Sequence, residues 1–311
     1  MDDYTCQGQM NIFDFLTDPP KDYKITKPIR LIELFAGIGA QAKALERLGA
    51  DFEHYRVIEF DEHAIKSYNA IHKTDFQAQD IRNITGESLA IKDVEKYTYL
   101  LTYSFPCQDL SVAGKQRGMQ KGSGTRSGLL WEVERILGEC EYLPEVLLME
   151  NVPQVHGYKF IDDFKAWCIA LENMGYSNFW QDLNSKDYGV AQSRNRTFMV
   201  SILGTNVKYE FPKPFELTKT MADYLEDHVD EKYYISNERA RILIEKLVRG
   251  GTDEIIEKYG NDKINYKPFD KAISYPLRSQ DFARTGFMKV APTLSARDYK
   301  DPKRILEELD E

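Results

Sequence analysis

The chain has 311 residues, of which 42% are hydrophobic and 29% are charged, and its formal net charge at pH 7 is −9. This length is ample for a folded core, and the net acidity means that any contact with nucleic acid must come from a local basic surface. No apolar run reaches the ~18 residues of a membrane span, and the acidic start Met1-Asp2-Asp3 is unlike a signal or transit peptide.

The four cysteines lie far apart in the sequence, with no CxxC pair and no His/Cys cluster at metal-ligand spacing. Neither a disulfide framework nor a metal site is therefore predicted. This cysteine usage favours a reduced protein in the cytoplasm, and the lack of a long apolar run predicts no membrane partner.

Residues 1–27 are polar and acidic and contain Pro19-Pro20, so they predict a flexible N-terminal tail. From residue 28 to residue 203, apolar β-compatible segments alternate with segments of helix-forming residues. The predicted strands are 29–35, 55–60, 99–104, 145–150 and 197–202, and the predicted helices are 40–48, one that ends near 72 and one that begins near 129. This alternation is typical of an α/β fold with a doubly wound, mostly parallel, Rossmann-like sheet.

The alternation of strands and helices stops after Leu203. Residues 204–286 contain Pro212, Pro214 and Gly250-Gly251 and are less acidic than the chain as a whole. They predict a second, smaller lobe.

The turn Gly37-Ile38-Gly39 follows the first predicted strand and exposes backbone N–H groups at a helix start, where a nucleotide-like ligand can approach. Glu59 ends the second strand, where its carboxylate can accept hydrogen bonds from a ribose diol, and Phe60 can stack on an adenine. Asp80-Ile81 lies in a third connection between predicted elements, which would meet the edge of a bound adenine. The spacing fits S-adenosylmethionine as well as a dinucleotide.

Cys107 follows the third predicted strand, at the edge of the sheet where α/β proteins bind ligands. A deprotonated cysteine there is a strong nucleophile, whereas the alternative interpretation is an inert, half-buried thiol. A glycine-rich, basic segment comes next and predicts a loop that closes over an anionic backbone, or an ordinary surface loop. Its residues are Gly114, Lys115, Arg117, Gly118, Lys121, Gly122, Gly124, Arg126 and Gly128.

Glu150-Asn151-Val152-Pro153 ends the fourth predicted strand. A buried carboxyl group there can protonate or hydrogen-bond a ring nitrogen, and a strand-end cap is the alternative. In Gln192-Ser193-Arg194-Asn195-Arg196, an extended backbone would place Gln192, Arg194 and Arg196 on one side. Two guanidinium groups on one side suit a carbonyl or a phosphate.

Four of these motifs follow one another in the order found in DNA cytosine carbon-5 methyltransferases. They are Phe35-Ala36-Gly37-Ile38-Gly39, Phe105-Pro106-Cys107-Gln108, Glu150-Asn151-Val152 and Gln192-x-Arg194-x-Arg196. The chain resembles the bacterial and phage members of that family over about 29–202, and residues 291–296 look like the family's late PTL-type motif.

This resemblance implies that Cys107 adds to carbon 6 of a flipped-out cytosine and that Glu150 bonds to ring nitrogen 3. It further implies that Asn151 holds Glu150 in place and that Arg194, with Arg196 alongside, contacts the base carbonyl. S-adenosylmethionine is the implied cofactor. The implied cofactor-binding residues are Phe35, Ala36, Gly37, Ile38, Gly39, Glu59, Phe60, Asp80, Ile81, Pro106 and Leu130, of which Pro106 also orients the nucleophile.

The implied substrate is a specific sequence in double-stranded DNA, as in restriction–modification systems, and the implied location is the cytoplasm of a bacterial host. Residues 28–203 would be the catalytic and cofactor-binding domain, 204–286 the target-recognition region and 287–311 a return segment. Candidate DNA contacts are Arg278, Arg284, Lys289 and Arg297.

The sequence also raises a second subunit and a bacterial sliding clamp as partners. Members of the family usually carry a C-terminal motif that is not found here, so we expect a truncated product, a chain without that segment, or a split enzyme completed by a second subunit. The run Gln9-Met10-Asn11-Ile12-Phe13 resembles peptides that bind the bacterial sliding clamp. An apolar patch that docks the tail onto the domain is the preferred alternative.

Two other functions compete with DNA methylation. An RNA-directed relative shares these motifs but typically carries a Cys-Phe-Thr element, which this sequence lacks. The second competing function is that of a module that binds DNA and cofactor but does not catalyse methyl transfer. All the catalytic side chains are present, which argues against it.

Overall fold

The computed structural model describes residues 21–110, 117–219 and 221–224, together with the backbone of short strands at 272–275, 291–292 and 304–307. The clamp-like run at 9–13 and the four candidate DNA contacts after residue 277 lie outside the described residues. The chain divides into two compact units. One comprises Met1–Asp182 and Arg196–Phe211, and the other comprises Leu183–Asn195 and Pro212–Glu311.

The strands, numbered in chain order, are β1 (Lys21–Asp22), β2 (Ile29–Leu34), β3 (Phe52–Ile58), β4 (Thr98–Tyr103), β5 (Val146–Asn151), β6 (Tyr176–Asn184), β7 (Gln192–Ser193), β8 (Asn195–Leu203), β9 (Val207–Lys208), β10 (Ala272–Tyr275), β11 (Ala291–Pro292) and β12 (Arg304–Glu307). The α-helices are α1 (Ala40–Leu48), α2 (Glu62–His72), α3 (Leu130–Glu139) and α4 (Ile161–Asn173). Short 3-10 helices are Ile81–Asn83, Glu87–Leu89, Ser127–Leu129, Pro153–His156, Ser185–Tyr188 and Met221–Tyr224.

Six strands of the first unit form one sheet in the order β3-β2-β4-β5-β8-β6. The pairs β2–β3, β2–β4 and β4–β5 are parallel, and β8 runs antiparallel to β5. Every residue of β4 is buried, as expected for a central parallel strand covered on both faces. The predicted doubly wound, mostly parallel sheet is therefore confirmed.

Alternate residues of the strands pack against helices on opposite faces of the sheet. Ile32 and Leu101 belong to a large apolar cluster with residues of α3 and α4. Leu31 and Leu100, one position away in each strand, belong to a second cluster with Ala42 of α1. This period of two places the helical layers on both sides.

The observed elements differ from the predicted ones in several places, and the helix α4 is among the elements that were not predicted. β3 ends at Ile58, so Glu59 and Phe60 lie in the connection after it. β6 was not predicted, because only one of its nine residues is fully buried and its sequence has no apolar alternation. The end of the predicted tail is held in place, since β1 pairs with β9 and Tyr23 donates a hydrogen bond to Glu145.

The described part of the second unit contains short 3-10 helices and short strands. Its strands form two small sheets, with β7 parallel to β11 and β10 antiparallel to β12. The Tyr188 hydroxyl donates a hydrogen bond to the carbonyl oxygen of Pro212, 2.9 Å away, and the Tyr188 ring packs edge-on against Phe215.

Candidate active site

The turn between β2 and α1 has an unusual backbone. Phe35, Gly37 and Gly39 all adopt left-handed conformations, with φ of 58°, 57° and 80°. The turn closes through a hydrogen bond from the Gly39 N–H to the carbonyl oxygen of Ala36, 3.0 Å long. Gly37 has open space where a side chain would stand. A ligand can therefore approach the backbone here closely.

Glu59 ties this turn to the end of β3. Its carboxylate accepts hydrogen bonds from the backbone N–H of Gly37 at 2.9 Å and of Asp61 at 2.8 Å. Beside it, Phe60 is 71% exposed and Ile38 is 54% exposed. Exposed apolar side chains next to a fixed carboxylate form a surface that suits a ribose and an adenine.

The remaining predicted cofactor residues differ in accessibility. Asp80 caps the 3-10 helix at Ile81–Asn83 and pairs with Arg82, and hydrogen bonds from Arg82 lower the pKa of Asp80. Ile81 and Leu130 are both buried in the large apolar cluster. Only Asp80 of these three presents polar atoms near the surface.

Cys107 lies in the loop that follows β4, and its side chain is half-buried. The carbonyl groups of the two residues before it are both held by side chains. Asn151 donates to the Phe105 carbonyl oxygen at 3.0 Å, and the Ser127 hydroxyl donates to the Pro106 carbonyl oxygen at 2.6 Å. The backbone that carries the thiol is thus fixed from two sides.

Asp109 fastens the segment that returns from the glycine-rich loop. Its carboxylate accepts from the Arg126 N–H at 2.9 Å, and its carbonyl oxygen accepts from the Gly118 N–H at 3.0 Å. Gly114 and Lys115 lie outside the described residues, but the described part of the predicted loop is tied down. Trp131 contributes to this by donating a hydrogen bond to the Met119 carbonyl oxygen.

Glu150 and Asn151 end β5, the parallel neighbour of β4. Because both strands end at the same edge of the sheet, Glu150, Asn151 and Cys107 share that edge. β8 passes antiparallel beside β5, and its Arg196 Nε lies 3.1 Å from Glu150 Oε1. Both side chains are less than one-fifth exposed, so this ion pair is largely screened from water.

Arg194 belongs to the second unit and lies between β7 and β8 rather than within one continuous strand. Its N–H donates to Asn184 Oδ1 at 3.0 Å, and its carbonyl oxygen accepts from the Ser185 N–H at 3.1 Å. These bonds fix the backbone of Arg194 within the second unit.

Two positioning residues were not predicted from the sequence. Ser127 is fully buried and binds the Pro106 carbonyl oxygen next to Cys107, whereas Asp109 is 9% exposed and its carboxylate binds the Arg126 N–H. Asp109 belongs to the motif that carries Cys107, and Ser127 ends the glycine-rich run. Both are polar residues close to the predicted site in sequence, and this was the signal that could have indicated their positioning role.

Comparisons with known proteins identify the family of this chain. The C-5 cytosine-specific DNA methylase family matches residues 29–303. The chain is 35% identical over 256 residues to the type II methyltransferase M2.ScrFI of Lactococcus lactis subsp. cremoris, covering 67% of this chain and 71% of that protein. It is 36% identical over 266 residues to the orphan methyltransferase M.SssI of Spiroplasma monobiae, covering 68% of each.

Solved structures share the fold. The S. pombe Dnmt2 methyltransferase aligns with a TM-score of 0.52 and 23% identity, over 75% of this chain and 66% of that chain. The Entamoeba histolytica methyltransferase EhMeth aligns with a TM-score of 0.57 and 22% identity, over 71% and 66%. The match thus spans about two thirds of each solved chain.

The chain belongs to the C-5 cytosine-specific DNA methylase family. Its activity is DNA (cytosine-5)-methylation, its substrate is DNA and its methyl donor is S-adenosylmethionine. A covalent cysteine adduct is the family mechanism. Within the described residues, no helix is long and apolar enough to cross a membrane.

Proposed function

We propose that Cys107 is the nucleophile that forms the covalent adduct with cytosine. In this mechanism its thiolate bonds to carbon 6 of a cytosine turned out of double-stranded DNA, and the electrons of the 5,6 double bond move to carbon 5. Glu150 hydrogen-bonds ring nitrogen 3 and stabilises the adduct. Once carbon 5 carries the donated methyl group, removal of the carbon-5 proton restores the double bond and expels the thiolate. The observation that carries this proposal is the shared edge of β4 and β5.

The side chains around Glu150 have supporting roles in this proposal. Arg196, 3.1 Å from Glu150, holds the carboxyl group in place and offers positive charge beside it. Arg194 contacts the carbonyl oxygen of the base, and Asn151 and Pro106 keep the nucleophile loop in position.

The turn at Gly37–Gly39 fits S-adenosylmethionine. The space beside Gly37 lets the ligand approach the backbone. The Glu59 carboxylate can contact the ribose, and the exposed Phe60 can contact the adenine. Phe35, Ala36, Ile38, Asp80, Ile81 and Leu130 complete the proposed cofactor residues. When bound, this cofactor supplies the methyl group that carbon 5 accepts.

Covalent trapping tests the nucleophile. DNA in which every cytosine carries fluorine at carbon 5 cannot lose that substituent as a proton, so the adduct should persist when the protein and S-adenosylmethionine are added. We expect a denaturation-resistant complex with wild type and none with Cys107→Ser. Cys140→Ser is the matched control. Burial raises the pKa of the Cys140 thiol to about 11, so this variant should still trap DNA.

The outcomes of the trapping experiment are distinct. A complex formed by Cys107→Ser, or lost in Cys140→Ser, would contradict the assignment of the nucleophile. DNA binding by wild type without trapping or methyl transfer would instead support a binding module.

We also propose that residues 28–203 carry the chemistry, that 204–286 select the target sequence and that 287–311 return to the catalytic domain. Exchange of 204–286 for the equivalent stretch of a relative should change which cytosine is methylated, as read by bisulfite sequencing. An unchanged target would place recognition elsewhere.

Two proposals concern a partner and the location. A bacterial sliding clamp would bind residues 9–13, so Phe13→Ala should remove its co-elution with the chain in gel filtration. The activity would take place in the bacterial cytoplasm, where the DNA substrate is.

A further inference from the structure

Three side chains behind the cofactor turn bring nitrogen and oxygen atoms together. Glu46 of α1, His54 of β3 and His72 of α2 each offer one potential metal-ligand atom, and these atoms lie within 4.8 Å of one another. The His54 and His72 rings are 5.0 Å apart between centroids. The His72 side chain is fully buried, whereas that of Glu46 is 32% exposed. The cluster is therefore open to solvent on one side.

Hydrogen bonding determines which nitrogen of His54 has a lone pair. Tyr68 donates its hydroxyl hydrogen to the buried Glu33 carboxylate, 2.5 Å away. The Tyr68 oxygen can then only accept a hydrogen bond from His54 Nδ1, at 2.6 Å. Neutral His54 thus carries its hydrogen on Nδ1 and its lone pair on Nε2. A hydrogen-bond chain that ends on a carboxylate is a common outer-shell support for a metal-binding histidine.

His72 is oriented in a comparable way. Its Nε2 lies 3.2 Å from the carbonyl oxygen of Ile38, which can only accept, so Nε2 is the donor. Nδ1 of neutral His72 then directs a lone pair at Glu46 Oε1, 2.8 Å away, which is also an acceptor. Two acceptors at this distance need a proton or a metal ion between them.

We propose that Glu46, His54 and His72 bind one divalent transition-metal ion, with Zn²⁺ as the best match. Two imidazole nitrogens and one carboxylate, with a fourth position for water, form an open tetrahedral zinc site, whereas Mg²⁺ and Ca²⁺ prefer oxygen ligands. Tetrahedral ligands at about 2.0–2.1 Å from zinc lie about 3.3 Å apart, so small rotations of Glu46 and His54 complete the site.

The ion joins α1, β3 and α2 directly behind Ile38. Its role is to hold the backbone of the cofactor turn, and it takes no part in the methyl transfer. The metal site is independent of the proposed roles of Cys107 and Glu150, so either proposal can fail without the other.

The test is a titration of the metal-depleted full-length chain with Zn²⁺ in a calorimeter, and with Co²⁺ by visible absorption. We expect one ion per chain, a tetrahedral Co²⁺ spectrum without thiolate bands, and a higher melting temperature with Zn²⁺. Glu46→Gln and His54→Ala should each weaken binding at least about tenfold. Glu46→Gln keeps the size of the side chain and a hydrogen-bonding group beside His72 and Lys43, and the melting temperature without metal checks that the variant is folded.

His63→Ala is the matched control, because His63 is an exposed histidine on the same helix as His72, and it should bind Zn²⁺ like wild type. Cys107→Ser should also retain binding. Absence of stoichiometric binding, binding that survives both Glu46→Gln and His54→Ala, or binding that Cys107→Ser removes would each overturn the proposal.

Discussion

At the scale of single residues, Gly39 meets two separate demands. It adopts φ of 80°, which favours glycine, and it is the N-cap residue of α1. A Cβ atom at this position would also lie 2.3 Å from His72 Nε2 and 2.6 Å from Tyr68 Cε2. The neighbouring Gly37 has a similar φ of 57° but open space around it. Substitution of Gly37 therefore tests backbone strain alone, whereas substitution of Gly39 tests backbone strain and a steric clash together.

Gly39→Ala should destabilise the protein more than Gly37→Ala. Backbone strain costs both variants about 1 kcal/mol, and the clash with His72 and Tyr68 adds about 1–3 kcal/mol for Gly39→Ala alone. Urea unfolding of the two variants and wild type measures the difference. Equal losses of stability would mean that His72 and Tyr68 move aside at little cost.

At the scale of elements, Asn151 connects the ends of two strands. Its side chain is 2% exposed, and it donates to the Phe105 carbonyl oxygen while accepting from the Val152 N–H at 2.8 Å. The loop after β4 carries Cys107 and the last residues of β5 carry Glu150. Asn151 thus sets the spacing between the nucleophile and the acid.

Asn151→Ala should leave a buried carbonyl oxygen and a buried N–H unpaired, which costs about 1–3 kcal/mol for each group. The single-turnover rate of methyl transfer should fall, with little change in DNA affinity, at a temperature where the variant is folded. Asn151→Asp is the companion variant, since it keeps the acceptor for Val152 but directs a carboxylate at the Phe105 carbonyl. A wild-type rate in Asn151→Ala would limit Asn151 to a purely structural role.

The sequence predicted β4, which has a strong local signal, and missed β6, which has none. It also missed α4, although the buried residues of that helix recur at helical spacing. β4 is a mostly apolar segment that is buried on both faces, with Thr98 and Thr102 as its polar residues, and its position was predicted to within one residue. β6 lies at the sheet edge, with polar residues and partial burial, and gave no periodic pattern. Similarly, the motif around Cys107 is contiguous, whereas Glu46, His54 and His72 come from three elements and meet only in the folded chain.

Glu145, on the connection into β5, anchors the N-terminal segment. Burial alone would raise the pKa of Glu145, but hydrogen bonds from Lys27, Tyr23 and Thr98 outweigh it, and the pKa is lowered. A lowered pKa means that the folded state favours the carboxylate. The resulting stability is present above about pH 4.3, the ordinary pKa of glutamate, and is lost as the pH falls through the lower folded-state pKa.

Glu145→Gln should therefore be less stable than wild type at pH 7, by about 1 kcal/mol or less because the site is partly exposed. The difference should shrink as the pH falls below 4. Glu141→Gln, an exposed residue on the same connection, should match wild type throughout. Melting temperatures between pH 3 and pH 7 measure this, and a difference independent of pH would contradict the role of the carboxylate.

At the scale of the whole molecule, a chain of net charge −9 acts on a polyanion. Its overall field repels DNA, so affinity must come from local basic side chains that displace counterions from the phosphates. Residues 204–286 are nearly balanced in charge. A small number of well-placed arginines and lysines then has to supply most of the attraction, and salt should weaken binding strongly.

The salt dependence of DNA binding identifies these side chains. Each phosphate contact contributes about −0.9 to the slope of log K against log salt concentration. Arg284→Ala should make this slope shallower by about 1 and weaken binding equally on all DNA sequences, as expected for a phosphate contact. Lys96→Ala is the matched control, because Lys96 is exposed, pairs with Asp93 and precedes β4 at the edge opposite Cys107. A slope unchanged in Arg284→Ala, with affinity lost on one sequence only, would instead assign Arg284 to base recognition.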